Sequence, residues 1–344
     1  MIDRELALYR KLQERGIKID FITYGDKDDL AFAHTIPGLS IRANVEGLGL
    51  GAYERKLLSE PVQADVIKSN QMAGADIAME VARKSQAQFV ARCGYLLAEF
   101  QERRYGERSR EAKQARKLEE KVFRGADWIT VTTTKMAESV VERYKIAPEK
   151  IGVIPNYVET DRFRPSDSEQ REKLRVGFVG RLDAQKNLHN LITAVVDMDI
   201  EVWLIGYGPL QEELERFAEG TVAQFKFLGN VANHELPLML NQCDIFVMPS
   251  LYEGHPKALL EAMACGLPAL GTRVPGIQEI ITDGENGLLS ETGAASLREG
   301  LQRLIDDPAL RQRLGRAGRE YVEAHFALER IVNLEMNLLN RLVG

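Results

Sequence analysis

Residues 244–271 read Asp244-Ile-Phe-Val-Met248-Pro-Ser-Leu-Tyr-Glu253-Gly-His-Pro-Lys-Ala-Leu-Leu-Glu261-Ala-Met-Ala-Cys-Gly266-Leu-Pro268-Ala-Leu-Gly271. The apolar run Asp244–Met248 reads as a strand, and the Gly- and Pro-containing stretch after it as a turn. The alanine- and leucine-rich stretch that follows is a helix, stopped at Gly266-Leu-Pro268, before a further strand, Pro268–Gly271. Two such strands joined through a helix call for a parallel sheet with a crossover. Glu253 and Glu261 stand eight positions apart across the loop-to-helix junction. At ~3.6 residues per turn that spacing returns a side chain to nearly the same face, so two carboxylates can be aimed at one ligand. An open helix N-terminus beside them suits a sugar nucleotide, with phosphate at the helix start and hydroxyls on the carboxylates. An isolated pair of this kind also reads as a loop acid and a surface helix acid in solvent, so the surroundings decide.

The same alternation of apolar runs and helical patterns extends in both directions. Strand candidates in the first half are Ile17–Thr23, Asp65–Ser69, Gln88–Arg92, Trp128–Thr132 and Ile151–Ile154. The polar stretch Asp161–Glu172, which contains Pro165, reads as a linker. A second series follows, with strands at Leu174–Val179, Ile200–Ile205, Gln224–Leu228, Asp244–Met248 and Pro268–Gly271 and helices at Pro209–Ala218 and His234–Asn241. The pattern predicts an α/β protein of two doubly wound domains, residues 1–160 and 161–326, with ligands at the carboxyl ends of the strands in the cleft between them. A final helix, residues 327–344, carries an apolar stripe at Leu328, Ile331, Val332, Leu334, Leu338, Leu339 and Leu342 that requires a partner surface. The chain opens on a helix, Asp3–Arg15, ended by Gly16, where a doubly wound domain would usually open on a strand.

A length of 344 residues suits two domains, and 44% hydrophobic with 28% charged residues describes a soluble globular protein. A net charge of -6 gives no general attraction to nucleic acid, so no nucleic-acid partner is expected. Cys93, Cys243 and Cys265 are isolated from one another and from any histidine cluster, which argues against structural zinc and a disulfide framework and fits a reducing cytoplasm. The start Met-Ile-Asp-Arg-Glu-Leu is charged where a signal peptide is apolar, and no run is long enough for a membrane span.

Three further segments bear on chemistry. In Phe178-Val-Gly180-Arg181-Leu-Asp-Ala-Gln-Lys186-Asn187-Leu, a strand ends at Gly180 and two cations follow in a loop that opens the next helix. Gly180 permits close backbone approach, Arg181 offers a planar fork for phosphate oxygens and Lys186 adds a point charge; the bland alternative is a pair of exposed cations. Leu204-Ile-Gly206-Tyr-Gly208-Pro209-Leu has the glycines of a tight strand-end turn, and Gly229-Asn230-Val231 follows the next strand. Val153-Ile-Pro155-Asn156-Tyr157-Val-Glu159 leads out of the first domain.

Taken together, these segments closely resemble the retaining, family 4 type glycosyltransferases (glycosyl transferases group 1), and most of the chain downstream of Ala126 agrees with that pattern. The resemblance implies the GT-B fold, with the last helix crossing back to the first domain. It implies transfer of a hexose-type sugar, with retention, from a nucleotide diphosphate sugar to a carbohydrate or glycolipid hydroxyl, such as a cell-envelope glycan or polysaccharide precursor. It also implies that Arg181, Lys186 and the backbone amides of Lys257 and Ala258 meet the leaving diphosphate, and that Gly180, Gly206, Gly208, Gly254, His255 and Pro256 belong to the donor-binding site. Glu253 then lies by the sugar hydroxyls, Glu261 holds the ribose, and Asn230 and Val231 border the base. No metal and no cofactor are expected. His255 stands where relatives carry another small polar residue, Tyr157 where glycine is frequent, and Glu159 where aspartate is. The family's first strand and glycine-rich loop, which precede the opening helix, do not occur in this sequence.

In the first domain, Asn70, Gln71 and Arg92 follow strand ends where the family places acceptor-side residues, and Arg92 reads equally as a surface strand cap. The segment Arg103–Lys121 holds eight basic and four acidic residues. It reads as a solvated helix face, or as a peripheral contact with the inner face of a membrane. Asp26-Lys-Asp28 and Asp197-Met-Asp199 are short acidic matches of the kind that hold a divalent ion in other transferases, but neither lies near the Arg181 or Glu253 segments in sequence. Two rival functions share the architecture: a non-hydrolysing sugar-nucleotide 2-epimerase, and a nucleotide-sugar-binding protein without transfer.

Overall fold

The computed structural model describes residues 2–35, 38–60, 62–166 and 172–344; side chains 2–5, 32, 34 and 35 are outside it. Twelve strands are seen in this part of the chain: β1 Asp20–Ile22, β2 Ser40–Arg42, β3 Val66–Lys68, β4 Gln88–Cys93, β5 Trp128–Val131, β6 Ile151–Val153, β7 Arg175–Val179, β8 Glu201–Ile205, β9 Gln224–Gly229, β10 Ile245–Met248, β11 Ala269–Thr272 and β12 Leu288–Ser290. All pairings between them are parallel. The sequence reading locates ten of these strands and misses β2 and β12, which are three residues long.

The chain falls into two compact units, Met1–Pro155 with Glu329–Gly344, and Asn156–Leu328. In the second unit the sheet order is β12-β11-β10-β7-β8-β9. The chain winds outward from β7 to β9, returns to the other side of β7 at β10, and winds outward again to β12. Every residue of β10 and β11 is buried, as expected for central strands covered on both faces by helices. The core beneath runs from Phe163 and Phe178 through Phe246 to Leu260 and Leu301. Phe163 thus packs residues 161–166 of the expected linker into this unit, while residues 167–171 lie outside the described part.

In the first unit the sheet order is β3-β4-β5-β6, with β1 and β2 forming a separate parallel pair. Its main core gathers Phe89, Phe123, Ile129 and Val140. The last helix, Leu328–Val343, joins this unit. Glu335, almost fully buried, pairs with Lys68 at 2.5 Å, Glu329 pairs with Arg15 at 2.6 Å, and the Arg341 guanidinium lies 4.2 Å from the Trp128 ring centre. Among the described residues, no helix is long and apolar enough to cross a membrane.

Candidate active site

The reversal of strand order between β7 and β10 is the place where an open parallel sheet leaves a crevice at its carboxyl edge. The loops after β7, β8 and β10 meet there. Gly180 donates its amide to Ile205 O at 2.9 Å, and Gly206 donates to Gly229 O at 2.8 Å. Gly206 adopts φ +134, and a Cβ on it would overlap the Gly180 carbonyl oxygen, so these two loops approach as bare backbone. Gly208 is pressed in the same way against the backbone of Leu182, whose carbonyl accepts from Leu210 N.

After Gly180 the chain makes a single 3-10 turn, Ala184–Lys186, and then places Asn187 in the left-handed region at φ 56. Asn tolerates that conformation better than most residues. Its buried side-chain amide donates to Pro249 O at 3.0 Å and Thr292 O at 2.8 Å. Gln185 receives Leu251 N on its carbonyl at 2.8 Å and donates its side chain to Tyr252 O at 2.9 Å. The two loops are thereby fastened in register. Between them the Lys186 ammonium pairs with the Glu253 carboxylate, with the two side chains 14% and 8% exposed. From the far side, Gly276 rests against the carbonyls of Glu253 and Gly254, where any side chain would collide.

The helix Lys257–Ala264 follows this pair, and Pro256 occupies its N-cap without a side-chain hydrogen bond. Leu259 N and Leu260 N reach back to Pro256 O at 3.2 and 3.4 Å, which leaves Lys257 and Ala258 as the leading amides at the positive end of the helix dipole. Glu261 is buried on this helix. The periodicity that places both acids on one helical face does not apply, because Glu253 precedes the helix by four residues and is fixed by Lys186 instead. Arg181 differs from Lys186. Its side chain is 68% exposed and lies 3.8 Å from the Asp183 carboxylate. Asn230 is exposed, while Val231 packs on the core of the unit.

The His255 ring is buried and lies edge-on to Phe326, with centroids 5.1 Å apart and, among the described residues, no hydrogen-bond partner for Nδ1. Burial, reinforced by the charge of Lys257, pushes its pKa down to about 3, so it is neutral at physiological pH. Its carbonyl accepts from Asn156 Nδ2 at 2.7 Å. Asn156 and its neighbours form one side of a bridge in which Val158 N donates to Phe326 O and Leu328 N to Val158 O. The start of the helix Lys257–Ala264 is therefore tied to both segments through which the chain leaves this unit.

Two family patterns tile the chain: Glycosyltransferase Family 4 over residues 6–162 and Glycosyl transferases group 1 over residues 159–321. Each half of the chain thus carries a glycosyltransferase family pattern. An uncharacterized glycosyltransferase of Methanocaldococcus jannaschii is 37% identical over 42% of this chain and 42% of its own length. The 2-deoxystreptamine glucosyltransferase of Streptomyces kanamyceticus is 29% identical over 66% of this chain and 64% of its own, and the lipopolysaccharide core biosynthesis glycosyltransferase LpsE of Rhizobium meliloti 32% over 63% and 65%. The matched region thus spans less than two thirds of each of these relatives. Among solved structures, Anabaena HepE in complex with UDP and glucose superimposes with a TM-score of 0.81 at 17% identity, covering 98% of this chain and 95% of that one. The sucrose-phosphate synthase of Thermosynechococcus elongatus gives 0.78 at 23%, covering 97% and 91%. These likenesses establish the GT-B fold.

In the part of the chain that matches the Family 4 pattern, Asn70, Gln71 and Arg92 come together at the carboxyl ends of β3 and β4. Arg92 Nη1 donates to Asn70 O at 2.9 Å and to its Oδ1 at 3.3 Å, and Gln71 Oε1 accepts from Gly94 N at 3.0 Å. Asp197 and Asp199 face separate cations, Arg298 at 2.5 Å and Lys173 at 2.6 Å. The basic segment forms the end of the helix Leu97–Tyr105 and most of the helix Arg110–Gly125, with Arg104, Arg108, Arg110, Lys113 and Lys117 exposed. Sequence reasoning does not single out Gln185, Asn187 or Gly276, which fasten the loops around Lys186 and Glu253. An asparagine directly before a helix is the one local sign of such a role, since Asn favours caps and left-handed turns.

Proposed function

We propose that the chain transfers a hexose-type sugar from a nucleotide diphosphate donor to an acceptor hydroxyl, with retention of anomeric configuration and without a metal ion. The observation that carries this reading is the Lys186–Glu253 pair at the strand-order reversal, beside a helix start with no side-chain cap. As the bond from the sugar to the diphosphate breaks, negative charge grows on the departing phosphate oxygens. Lys186, the leading amides of Lys257 and Ala258, and Arg181 swinging in from solvent are the groups to receive it. These fixed positive charges do the work that a divalent ion does elsewhere, so EDTA should leave turnover unchanged. Glu253, oriented by Lys186, accepts from the sugar hydroxyls, and Glu261 from the ribose. The glycines at 180, 206 and 208 let phosphate and ribose approach the backbone.

Asn70, Gln71 and Arg92 are proposed to border the acceptor, a carbohydrate or glycolipid hydroxyl, and the exposed cations of residues 103–121 to meet anionic lipid when the acceptor is membrane-borne. Liposome co-sedimentation at low salt tests that contact. For the central reading, calorimetry with UDP, GDP, ADP and their sugars identifies the donor. Turnover with that donor then separates transfer from epimerisation and from binding alone. Lys186→Ala should lose roughly 100-fold in turnover, and wild-type turnover in that variant would defeat the mechanism. Proton NMR of the product reads retention directly.

A further inference from the structure

Outside the proposed donor site, the first unit encloses two carboxylates that the transfer chemistry does not use, Glu335, paired with Lys68, and Glu119. Glu119 lies on the helix Arg110–Gly125 within the charge-rich segment, yet it is fully buried. Its Oε1 accepts from Ala98 N at 3.2 Å and its carboxyl also receives Leu97 N, while Oε2 and Tyr144 OH share a hydrogen bond that Tyr144 donates to the ionised carboxylate and the carboxyl donates when neutral. Leu97 and Ala98 are the first residues of the helix Leu97–Tyr105, whose own N-cap, Leu96, has no side chain able to cap it. Glu119 caps that helix from a neighbouring one.

The loop that enters this helix, Arg92 to Leu96, is latched by side chains along its length. Arg92 N donates to Ser69 Oγ at 3.1 Å, Gly94 N to Gln71 Oε1 at 3.0 Å, Thr132 Oγ1 to Gly94 O at 3.1 Å, and Cys93 Sγ to Tyr95 O at 2.9 Å. Among these latches Glu119 is the group that titrates in an ordinary pH range. The charges around it are committed elsewhere. Glu102 on the capped helix pairs with Arg143 at 3.1 Å and Arg116 at 3.4 Å, and Glu99 with Arg143 at 3.5 Å. Cys93 and Tyr95 face it from the loop and Tyr144 from the helix Thr134–Tyr144, all three held in their neutral forms by burial.

We propose that Glu119 is a positioning residue whose proton sets how firmly the loop 92–98 is held, tight with the carboxyl neutral and loosened once it ionises. This rests on the reading of that loop as the acceptor side. Burial dominates the balance and raises the carboxyl from an ordinary 4.5 to about 7, against the lowering effect of Tyr144 and the two amides. When the loop opens to water the carboxyl returns to its ordinary range. The closed form therefore binds the proton more tightly, and raising the pH from about 4.5 to 7 favours opening.

Hydrogen exchange of the Leu97 and Ala98 amides in the full chain, corrected for the intrinsic pH dependence of exchange, tests this. Wild-type protection should fall by up to about tenfold per pH unit across that window, and Glu119→Gln should be flat. Equal profiles in the two proteins would overturn the proposal. If the Gln variant does not fold, a carbon-detected titration of the Glu119 carboxyl in the wild type decides, since a midpoint near 4.5 rejects the latch. Tyr144→Phe removes a donor to the ionised form and should move the midpoint upward; no movement or a downward one counts against it. These readouts use neither donor nor acceptor, so the latch can fail while transfer stands, and transfer can fail while the latch stands.

Discussion

The two units share parallel strands with crossover helices, and they differ in how they build their carboxyl edges. In the second unit the strand order reverses between β7 and β10, and the loops meeting there are held by bare glycine backbone, by Asn187 and by the Lys186–Glu253 pair. In the first, the sheet β3-β4-β5-β6 runs in chain order, and the loop 92–98 is held by side chains, with Glu119 at its end. Their buried titrating groups also have opposite signs. His255 in the second unit is kept neutral by a pKa lowered to about 3, and Glu119 in the first by one raised to about 7. In the proposed reading, fixed charge and backbone serve a constant diphosphate, whereas a side-chain-latched loop can be re-specified residue by residue for different acceptors.

The contrast is tested most severely at Gly206. With φ at +134 and the Gly180 carbonyl against the missing Cβ, Gly206→Ala should destabilise the second unit by about 3 kcal/mol or more in urea unfolding. Gly220→Ala, at φ +76 in open space, should cost only about 1 kcal/mol. Equal costs would mean that close backbone approach is not what the glycines after β7 and β8 serve. Next comes Glu253→Ala, which strands a largely buried Lys186 and should cost about 3 kcal/mol in the same assay, as well as most of the turnover. Arg92→Ala should leave nucleotide affinity unchanged by calorimetry; a weakened nucleotide would erase the division of labour between the units.

The pH responses sharpen the contrast further. For His255 the folded-state pKa lies below the unfolded one, so its contribution is present above about 6.5 and is lost as pH falls toward 3. His255→Phe should reduce the acid-side loss of unfolding free energy by up to ~1.4 kcal/mol per pH unit. For Glu119 the folded pKa is raised, so its contribution is present below 4.5 and lost as pH rises through about 7; Glu119→Gln should flatten that alkaline-side loss. The smallest effect is expected at Arg181. Its exposed contact with Asp183 should contribute under about 0.5 kcal/mol, so Arg181→Ala should unfold like wild type even if turnover falls.

Much of the second unit is legible in one sequence because its signals are local. The strand Asp244–Met248, the Gly-Pro turn and the helix after it are each written in a few consecutive residues, and so is the cation loop Gly180–Lys186. The first unit is less legible. Its strands β1 to β3 are three residues each, and its candidate residues Asn70, Gln71 and Arg92 acquire meaning only through one another. Glu119 shows the limit well: in a segment of eight basic and four acidic residues it reads as one more solvated charge, and only the packing of the helices Leu97–Tyr105 and Thr134–Tyr144 against it makes it a buried cap.

By itself the sequence determined the α/β class, most of the serial order of strands and helices, and the placing of Glu253 and Glu261 about a helix start. Those follow from periodicity, turn residues and spacing, which act over a few residues along the chain. Tertiary structure alone decided that Glu253 is held by Lys186 from 67 positions away, that the His255 ring is enclosed beside Phe326, and that the loop after β4 hangs on Glu119. Burial and charge pairing are set by which elements pack together, and that is a property of the whole fold.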